Sequence, residues 1–360
     1  MSLKGDNEPV FVVKEATSIA VPSVQELVKK DPLQVPAKYV RSHEEMEKDK
    51  LMPHLSSEVP IIDFALLSDG NVEELSKMDI ACKEWGFFQL VNHGVKKEVR
   101  QRLKDATTEF FNLPIEEKEK SAMASDDIFG YGHDPIYSED QMFEWSDSLV
   151  LLVHPSRYSN PSYWPKTPKG FKEIVEAYSS EVHRVGVELL NFFSMIMGMQ
   201  KQVLFGLHKE SMAIIRANYY PPCNMPEQVM GLNPHSDTCT ITLLMQDDDV
   251  SGLEIKHKGN WVPVNPIPDA LVINVADMLE IWSNGKYKSI EHRAIINKNK
   301  GRTSYALFIS PMYDVEVEPV DSMMDELNPK LYKKIRYGDL LKEAFKKKFD
   351  GKPHIDMLKV

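Results

Sequence analysis

The chain has 360 residues, of which 42% are hydrophobic and 27% are charged. This composition supports a sizeable core and excludes a disordered chain, a collagen-like repeat and a disulfide scaffold. The formal net charge of −11 disfavours binding to phosphate backbones, so we expect no nucleic-acid partner.

The sequence also predicts the compartment. Only three cysteines occur in the chain, which is typical of a reducing environment. No segment approaches the roughly 18–20 apolar residues of a membrane span. The apolar run near the start, Val10 to Val13, is shorter than the ~7–15 apolar residues of a secretory signal. We therefore expect a soluble, cytoplasmic protein that does not bind membranes.

The composition of residues 1–57 indicates that they form an N-terminal arm. Pro22, Pro32 and Pro36 interrupt this segment, and residues 41–50 are almost all polar. We expect the arm to lie on one large domain formed by residues 58–360, because the motifs described below belong to a single assembly.

The segment after the arm is predicted to be mostly helical. Short strands are predicted from Pro60 to Phe64 and from Trp85 to Val95, where aromatic and β-branched residues are frequent. Apolar residues at helical spacing predict helices over 71–84, 96–112 and 168–199. The third helix has an apolar stripe at steps of three and four residues, which we expect to be buried.

The second half of the chain has the texture of a β-protein. Short runs of β-branched or aromatic residues are separated by Gly, Pro and Asn-Gly signals, which is typical of an antiparallel sandwich or barrel. A last helix is predicted near 338–348, so the fold class is α+β. The predicted strands are 213–220, 238–245, 252–255, 260–264, 270–275, 290–296 and 303–309.

Two His-x-Asp motifs occur, at His235–Asp237 and at His354–Asp356. The first lies at the start of the predicted 238–245 strand, where residues two apart share a face and can grip one ion. His292 follows inside another predicted strand. Two histidines and one carboxylate form the facial triad of non-haem Fe(II) oxygenases, which leaves positions open for a co-substrate and O₂. No histidine follows His354, which we expect to be an exposed tail residue.

A possible carboxylate site follows His292 on the next predicted strand. Arg302 and Ser304 share a face there, and an arginine fork with a hydroxyl suits a carboxylate. For Arg302 alone a surface position would be favoured, but an inward arginine beside His292 needs a partner. The phenol of Tyr220 is suited to the same carboxylate, although a core tyrosine is an equally good interpretation. Together these residues suggest Fe(II) and a 2-oxo dicarboxylic acid.

The sequence resembles the plant 2-oxoglutarate- and Fe(II)-dependent dioxygenase family, in the clade of senescence-related dioxygenases and morphinan O-demethylases. The resemblance covers nearly the whole chain and implies a double-stranded β-helix, a jelly-roll core at about 210–312 flanked by helices. The motifs that carry it, in family order, are ACKEWGFFQLVNHGV at 81–95, FFNLPIEEK at 110–118, NYYPPC at 218–223, PHSD at 234–237, Glu291-His292-Arg293 and Arg302-Thr303-Ser304.

The resemblance also implies roles for individual residues. The iron ligands would be His235, Asp237 and His292. The residues that hold 2-oxoglutarate would be Arg302, Ser304, Tyr220 and Asn218. Phe308 matches an aromatic residue that stacks on substrate in related flavonoid enzymes.

The implied reaction consumes O₂ and 2-oxoglutarate, releases succinate and CO₂, and oxidises a small aromatic specialised metabolite of the alkaloid, phenylpropanoid or flavonoid class. Hydroxylation of an O-methyl group would give a hemiacetal that collapses to a phenol or alcohol and formaldehyde. We expect a monomer, with ascorbate as a supporting reductant. Two alternatives stay open: an oxidase of the same fold that uses ascorbate in place of 2-oxoglutarate, and a metal-binding jelly roll that carries a ligand without catalysis.

Three departures from the family pattern bear on the substrate. Ala276 replaces a usual glycine, and Trp282 replaces smaller residues, with core packing and substrate contact equally consistent for its indole. The loop Phe129-Gly-Tyr-Gly-His133 replaces Gly-Phe-Gly-Gln. We regard Tyr131 and His133 as candidate substrate contacts, with solvent exposure as the alternative for His133.

Overall fold

The structure is a computed structural model that describes residues 19, 21–42, 46, 50–124, 127–134, 136, 141–346 and 353–360. The α-helices of this part of the chain are α1 Val24–Lys30, α2 Phe64–Ser68, α3 Val72–Glu84, α4 Lys97–Phe111, α5 Ile115–Lys118, α6 Phe171–Ile196, α7 Val203–Gly206, α8 Asp277–Trp282, α9 Tyr337–Lys346 and α10 Pro353–Asp356.

The strands alternate with these helices early in the chain and dominate after α7. In chain order they are β1 Ile61–Asp63, β2 Phe87–Val91, β3 Gly130–Gly132, β4 Asp147–His154, β5 Met212–Tyr220, β6 Met230–His235, β7 Ile241–Met245, β8 Leu253–His257, β9 Asn260–Pro263, β10 Leu271–Val275, β11 His292–Ile295, β12 Arg302–Ser310, β13 Glu316–Val317 and β14 Ile335–Arg336.

Two sheets form the core of the fold. In the described part of the chain, the larger sheet has the order β1-β2-β10-β7-β12-β5-β4-β3 and the smaller sheet has the order β6-β11-β8-β9. Every pairing in them is antiparallel except β1 with β2. Side chains of both sheets line one cavity, so the sheets face each other across it. This arrangement confirms the predicted α+β jelly roll.

The long helix α6 closes the outer face of the larger sheet. Its predicted stripe is buried, with Val185 and Leu189 fully inaccessible. Gly186 lies on the same face, where an added Cβ would collide with the side chain of Ile309 and come within 3.1 Å of Leu243 Cδ1. The helix therefore rests directly on β7 and β12, because glycine lets the two backbones approach.

The predicted elements are confirmed with shifts of a few residues, but three strands of the two sheets were missed. β6 contains Gly231, Asn233 and Pro234, which are residues that disfavour strands in sequence patterns. Conversely, residues 238–240, predicted as strand, precede β7, which begins at Ile241. Strands β3 and β4 were also not predicted from the sequence.

Part of the predicted N-terminal arm is fixed to the domain. The buried carboxylate of Asp147 accepts hydrogen bonds from the backbone amides of Val24 and Gln25, at 3.0 and 2.8 Å, and from the hydroxyl of Ser23. These contacts satisfy the free amides at the start of α1. Tyr39 packs edge-on against Trp145. The boundary of the arm at residue 57 and the single domain over 58–360 remain predictions.

No helix among the described residues is both long and apolar enough to cross a membrane. The three cysteines are buried and unpaired with one another.

Candidate active site

One cavity between the two sheets brings together residues that are far apart in the chain. Strands β5 and β12 contribute alternate side chains, as expected for residues that share one face of a strand. The sequence-predicted site residues that line the cavity are His235, Asp237, His292, Asn218, Tyr220, Arg302, Ser304 and Phe308.

The three predicted metal ligands converge at this cavity. His235 Nε2 lies 3.8 Å from Asp237 Oδ1, and His292 Nε2 lies 3.5 Å from the same oxygen. Their ligand atoms all lie within 4.8 Å of one another, which allows them to hold one metal ion. These distances between the ligand atoms are compatible with coordination of the three residues to a single ion.

The way these residues meet differs from the prediction. His235 and Asp237 were expected to share a face of one strand, but His235 ends β6 and Asp237 lies in the connection before β7. His235 is instead directly opposite His292 in the antiparallel pairing of β6 with β11. The cross-strand register brings the two imidazoles together, and the connection then turns Asp237 back towards them.

Hydrogen bonds orient both imidazoles. His235 Nδ1 lies 2.8 Å from the carbonyl oxygen of Asn233, and His292 Nδ1 lies 3.2 Å from that of Ile290. A carbonyl oxygen can only accept, so each Nδ1 carries the hydrogen and each Nε2 keeps its lone pair when the ring is neutral. Burial, followed by the nearby His292, lowers the pKa of His235, which favours the neutral form.

The carboxylate of Asp237 is also held in place. Its Oδ2 accepts hydrogen bonds from Thr242 Oγ1 at 2.6 Å and Asn274 Nδ2 at 2.9 Å, which leaves Oδ1 facing the histidines. Burial raises the pKa of Asp237, but the two histidines and these hydrogen bonds outweigh it and the net shift is downward. Sequence reasoning did not find Thr242 or Asn274, whose roles depend on contacts between strands. An ionised carboxylate with two neutral imidazoles is a donor set that fits Fe(II).

A further polar network lies behind the triad. The carboxylate of Asp277 accepts from Ser289 Oγ at 2.6 Å, from Ser236 Oγ at 3.2 Å and from His354 Nε2 at 2.6 Å. The prediction that His354 is an exposed tail residue is therefore wrong: only 3% of it is accessible. Helix α10 turns this histidine inward, which its position near the C-terminus did not indicate.

The predicted carboxylate clamp is built on two neighbouring strands. In the pairing of β5 with β12, Arg302 is opposite Tyr220 and Ser304 is opposite Asn218. The hydroxyl of Ser304 lies 3.4 Å from both Tyr220 Oη and Asn218 Nδ2. Opposite residues in an antiparallel pair present their side chains on the same face, which brings these four into one group.

The guanidinium of Arg302 is buried, with 3% of the residue exposed. Gln246 Oε1 accepts a hydrogen bond of 3.2 Å from its Nη2, while Nε has no hydrogen-bond partner. Among the described residues, no carboxylate lies within ion-pair distance of it. Burial lowers the pKa of Arg302. A buried cation of this kind is stabilised by an anionic ligand.

The other candidate substrate contacts lie elsewhere. Trp282 is 2% exposed, packs 5.0 Å from His208 between ring centres, and does not line the cavity. Tyr131 packs edge-on against Phe110. His133 Nε2 lies 3.2 Å from Oδ1 of Asp147, the carboxylate that also holds α1. Neither Tyr131 nor His133 lines the cavity in this structure.

Ala276 causes no backbone strain. It precedes α8 with φ −116° and ψ 177°, an extended conformation that any residue adopts.

The cavity also has polar residues that sequence reasoning missed, namely Asp134, Glu144 and Arg216. Their positions in separate segments left no local pattern to find.

The fold and the site define an iron-dependent oxygenase. Residues 211–311 match the 2OG-Fe(II) oxygenase superfamily, and residues 59–167 match the family described as non-haem dioxygenase in morphine synthesis N-terminal. The chain belongs to the 2-oxoglutarate- and Fe(II)-dependent oxygenase superfamily, which confirms the resemblance seen in the sequence. It is a 2-oxoglutarate-dependent dioxygenase, an oxidoreductase whose cofactors are Fe(II) and 2-oxoglutarate and whose substrate is a small molecule.

Individual relatives cover almost the full chain. Oxoglutarate-dependent flavonoid 7-O-demethylase 1 of Ocimum basilicum is 40% identical over 345 residues, which span 95% of this chain and 92% of the relative. Codeine O-demethylase of Papaver somniferum is 37% identical over 359 residues, spanning 98% and 100%. The crystal structure of JOX2 in complex with 2OG, Fe and JA has a TM-score of 0.88 at 29% identity, covering 96% of this chain and all of that chain.

Proposed function

We propose that this enzyme binds Fe(II) through His235, Asp237 and His292 and uses 2-oxoglutarate and O₂ to hydroxylate or O-demethylate a small aromatic metabolite. The far carboxylate of 2-oxoglutarate would bind Arg302 and Ser304, with Tyr220 and Asn218 beside them. Each turnover would place one oxygen atom of O₂ in succinate and the other in the substrate, and would release CO₂.

The buried guanidinium of Arg302 carries this proposal. It lines the same cavity as the triad and has no carboxylate partner among the described residues. A co-substrate with two carboxyl groups satisfies both requirements, since one end can meet the metal while the other meets Arg302. An oxidase that uses ascorbate in place of 2-oxoglutarate would bring no carboxylate to this guanidinium. A ligand carrier would have no use for open metal positions.

When bound, iron and 2-oxoglutarate together supply O₂ activation and the electrons for it. The protein's own residues supply position. The carbonyl oxygens of Asn233 and Ile290 fix the two imidazoles, and Thr242 and Asn274 fix Asp237. Phe308 presents an aromatic ring to the cavity, where it can stack on a flat substrate.

The class of substrate is supported by relatives whose names state that they demethylate a flavonoid or codeine. Attack on an O-methyl carbon yields a hemiacetal, which collapses to a phenol or alcohol and formaldehyde. The same site would perform simple hydroxylation on a substrate that presents another C–H bond to the metal. The alkaloid, phenylpropanoid and flavonoid classes are all proposed on this basis.

Screening of phenolic and alkaloid libraries tests the proposal. Products are expected 16 mass units heavier for hydroxylation or 14 units lighter for demethylation, with succinate formed in step with substrate loss. The Asp237→Ala variant should lose both products while it still unfolds in one cooperative transition. Substrate oxidation without succinate would contradict the proposal. The monomeric state, the cytoplasmic location and the supporting role of ascorbate remain predictions.

A further inference from the structure

The active-site cavity has a second polar group, distinct from the 2-oxoglutarate clamp. Asp134, Glu144 and Arg216 all line it, together with apolar side chains such as Ile214 and Leu232. Two carboxylates and one guanidinium leave one negative charge in excess at this position. The contacts of Arg216 decide which of the two carboxylates has its charge compensated by the protein itself.

Arg216 is paired with Asp134. Its Nη1 donates to both oxygens of Asp134, at 2.9 and 2.7 Å, and its Nε donates to Asn218 Oδ1 at 2.7 Å. These contacts pair the positive charge of Arg216 with the carboxylate of Asp134. They also link the guanidinium to Asn218, which lies opposite Ser304. Arg216 is therefore neutralised locally.

Glu144 has no such partner. Its Oε1 accepts the backbone amide of Asn233 at 2.8 Å, and among the described residues no cation lies within ion-pair distance of it. The segment that carries Glu144 is fixed to β6 by the hydrogen bond from Trp145 N to the carbonyl of Met230, at 2.8 Å. The carboxylate is thus held beside the strand that ends at His235.

The electrostatic setting of Glu144 favours a bound cation. Burial, followed by the charge of Asp134, raises the pKa of Glu144. Both effects penalise its ionised form, and a positive charge placed against the free oxygen would reverse that penalty. The charge of Arg216 lowers the pKa of Glu144 in turn, but its guanidinium is hydrogen-bonded to Asp134 and Asn218. No ion-pair partner for Glu144 therefore lies among the described residues, and a cation on the substrate would supply one.

We propose that Glu144 binds a protonated amine on the substrate and thereby selects small aromatic molecules that carry a basic nitrogen. This inference deepens the proposed function and rests on it, since the amine would be bound in the same cavity that presents the rest of the substrate to the metal. The ammonium would donate a hydrogen bond to Glu144, and charge-assisted bonds of this kind give both affinity and orientation.

Three matched probes test this inference. The first is para-methoxyphenethyl-dimethylamine, which is cationic at neutral pH. In the second an isopropyl group replaces the dimethylamino group, and in the third a hydroxyl group replaces it. Their affinities are measured by calorimetry without O₂, on enzyme loaded with Fe(II) and 2-oxoglutarate. We expect the amine to bind wild-type enzyme about tenfold or more tightly than its isopropyl isostere.

The variants separate charge from shape. Glu144→Gln keeps an oxygen for the amide of Asn233 but removes the charge, and should abolish the preference for the amine while the affinity for 2-oxoglutarate stays unchanged. Glu144→Asp should retain part of the preference. Glu98→Gln, at an exposed position on α4, makes the same change in net charge and should behave like the wild type.

Several outcomes would overturn the inference. These are equal wild-type affinity for the amine and its isostere, tightest binding of the alcohol, or an amine preference that survives in Glu144→Gln. Oxidation of the neutral probes with matching succinate release would still uphold the proposed function in those cases. Formation of succinate while none of the three probes and no library compound is consumed would instead count against the proposed function itself.

Discussion

His354 Nε2 lies 2.6 Å from Asp277 Oδ2, so a residue of the C-terminal helix α10 is hydrogen-bonded to the centre of the fold. The same carboxylate oxygen accepts from Ser236, which lies between two of the proposed metal ligands. The backbone amide of Asp277 donates to the carbonyl oxygen of Asp237 at 3.0 Å. A continuous chain of hydrogen bonds therefore connects the end of the protein to the triad.

The first prediction concerns His354. His354→Ala removes a buried donor from a buried carboxylate, and should lower the free energy of unfolding by about 1–3 kcal/mol. Affinity for Fe(II) should also fall, because Asp277 supports the backbone of Asp237. Urea unfolding and metal titration measure the two effects.

His354→Gln, which keeps an N–H donor, should restore part of both losses. His54→Ala, at an exposed position, serves as the control. Unchanged stability in His354→Ala would show that the hydrogen bond to Asp277 contributes nothing.

The second prediction concerns the clamp. Arg302→Ala should raise the KM for 2-oxoglutarate by a factor of about 30 or more, since loss of a buried charged hydrogen bond costs about 2–5 kcal/mol. Arg302→Lys keeps the charge without the planar fork and should fall between the two enzymes. Initial rates of succinate formation give the KM values, and an unchanged KM in the alanine variant would refute the role of Arg302.

The third prediction concerns acid stability. Burial lowers the pKa of His208 to about 4, while the unfolded chain titrates near the ordinary value of about 6.5. Between these two pKa values the unfolded state binds more protons than the folded state. The contribution of His208 to the free energy of unfolding is therefore fully present above the higher pKa and is lost as the pH falls towards the lower one. The loss due to His208 should be about 1.4 kcal/mol per pH unit.

Denaturant unfolding at a series of pH values measures this slope. His208 Nδ1 donates to the carbonyl of Leu204 at 2.9 Å, a bond that a glutamine can replace. His208→Gln should flatten the profile in this interval, whereas exposed His54→Gln should leave it unchanged. Burial also lowers the pKa of His183 to about 4, so part of the slope should remain in the His208 variant.

The fourth prediction concerns the contact between α6 and the larger sheet. Replacing glycine by alanine inside a helix normally stabilises it by about 1 kcal/mol. At Gly186 the added methyl collides with Ile309, so Gly186→Ala should destabilise the protein by about 1–3 kcal/mol. Gly206→Ala is the matched control, because nothing lies within 4 Å of its added Cβ. Equal effects of the two substitutions on the thermal midpoint would contradict the packing argument.

Local sequence patterns predicted many of the elements and candidate site residues of this protein. The stripe of α6 and the placement of Arg302 and Ser304 on one face of β12 follow from the periods of helix and strand, which are properties of neighbouring residues. The residue types at 235, 237 and 292 likewise identified the chemistry of a metal site. Each of these inferences needs only a short stretch of chain or the order of motifs along it.

The sequence could not provide the long-range relationships. The pairing of His235 with His292 depends on the register of β6 against β11, and β6 itself was hidden by Asn233 and Pro234. The support of Asp237 by Thr242 and Asn274 also requires strands that are distant in the chain. These contacts exist only after the sheets have formed.

The sequence by itself determined the family, the proposed metal ligands and the proposed 2-oxoglutarate clamp, because those depend on residue type and order. Only the tertiary structure decided that His354 is buried against Asp277 and that Glu144 lines the cavity without an ion-pair partner among the described residues. Burial and charge balance are set by everything that packs around a side chain. That surrounding set is assembled from remote segments, which no local pattern encodes.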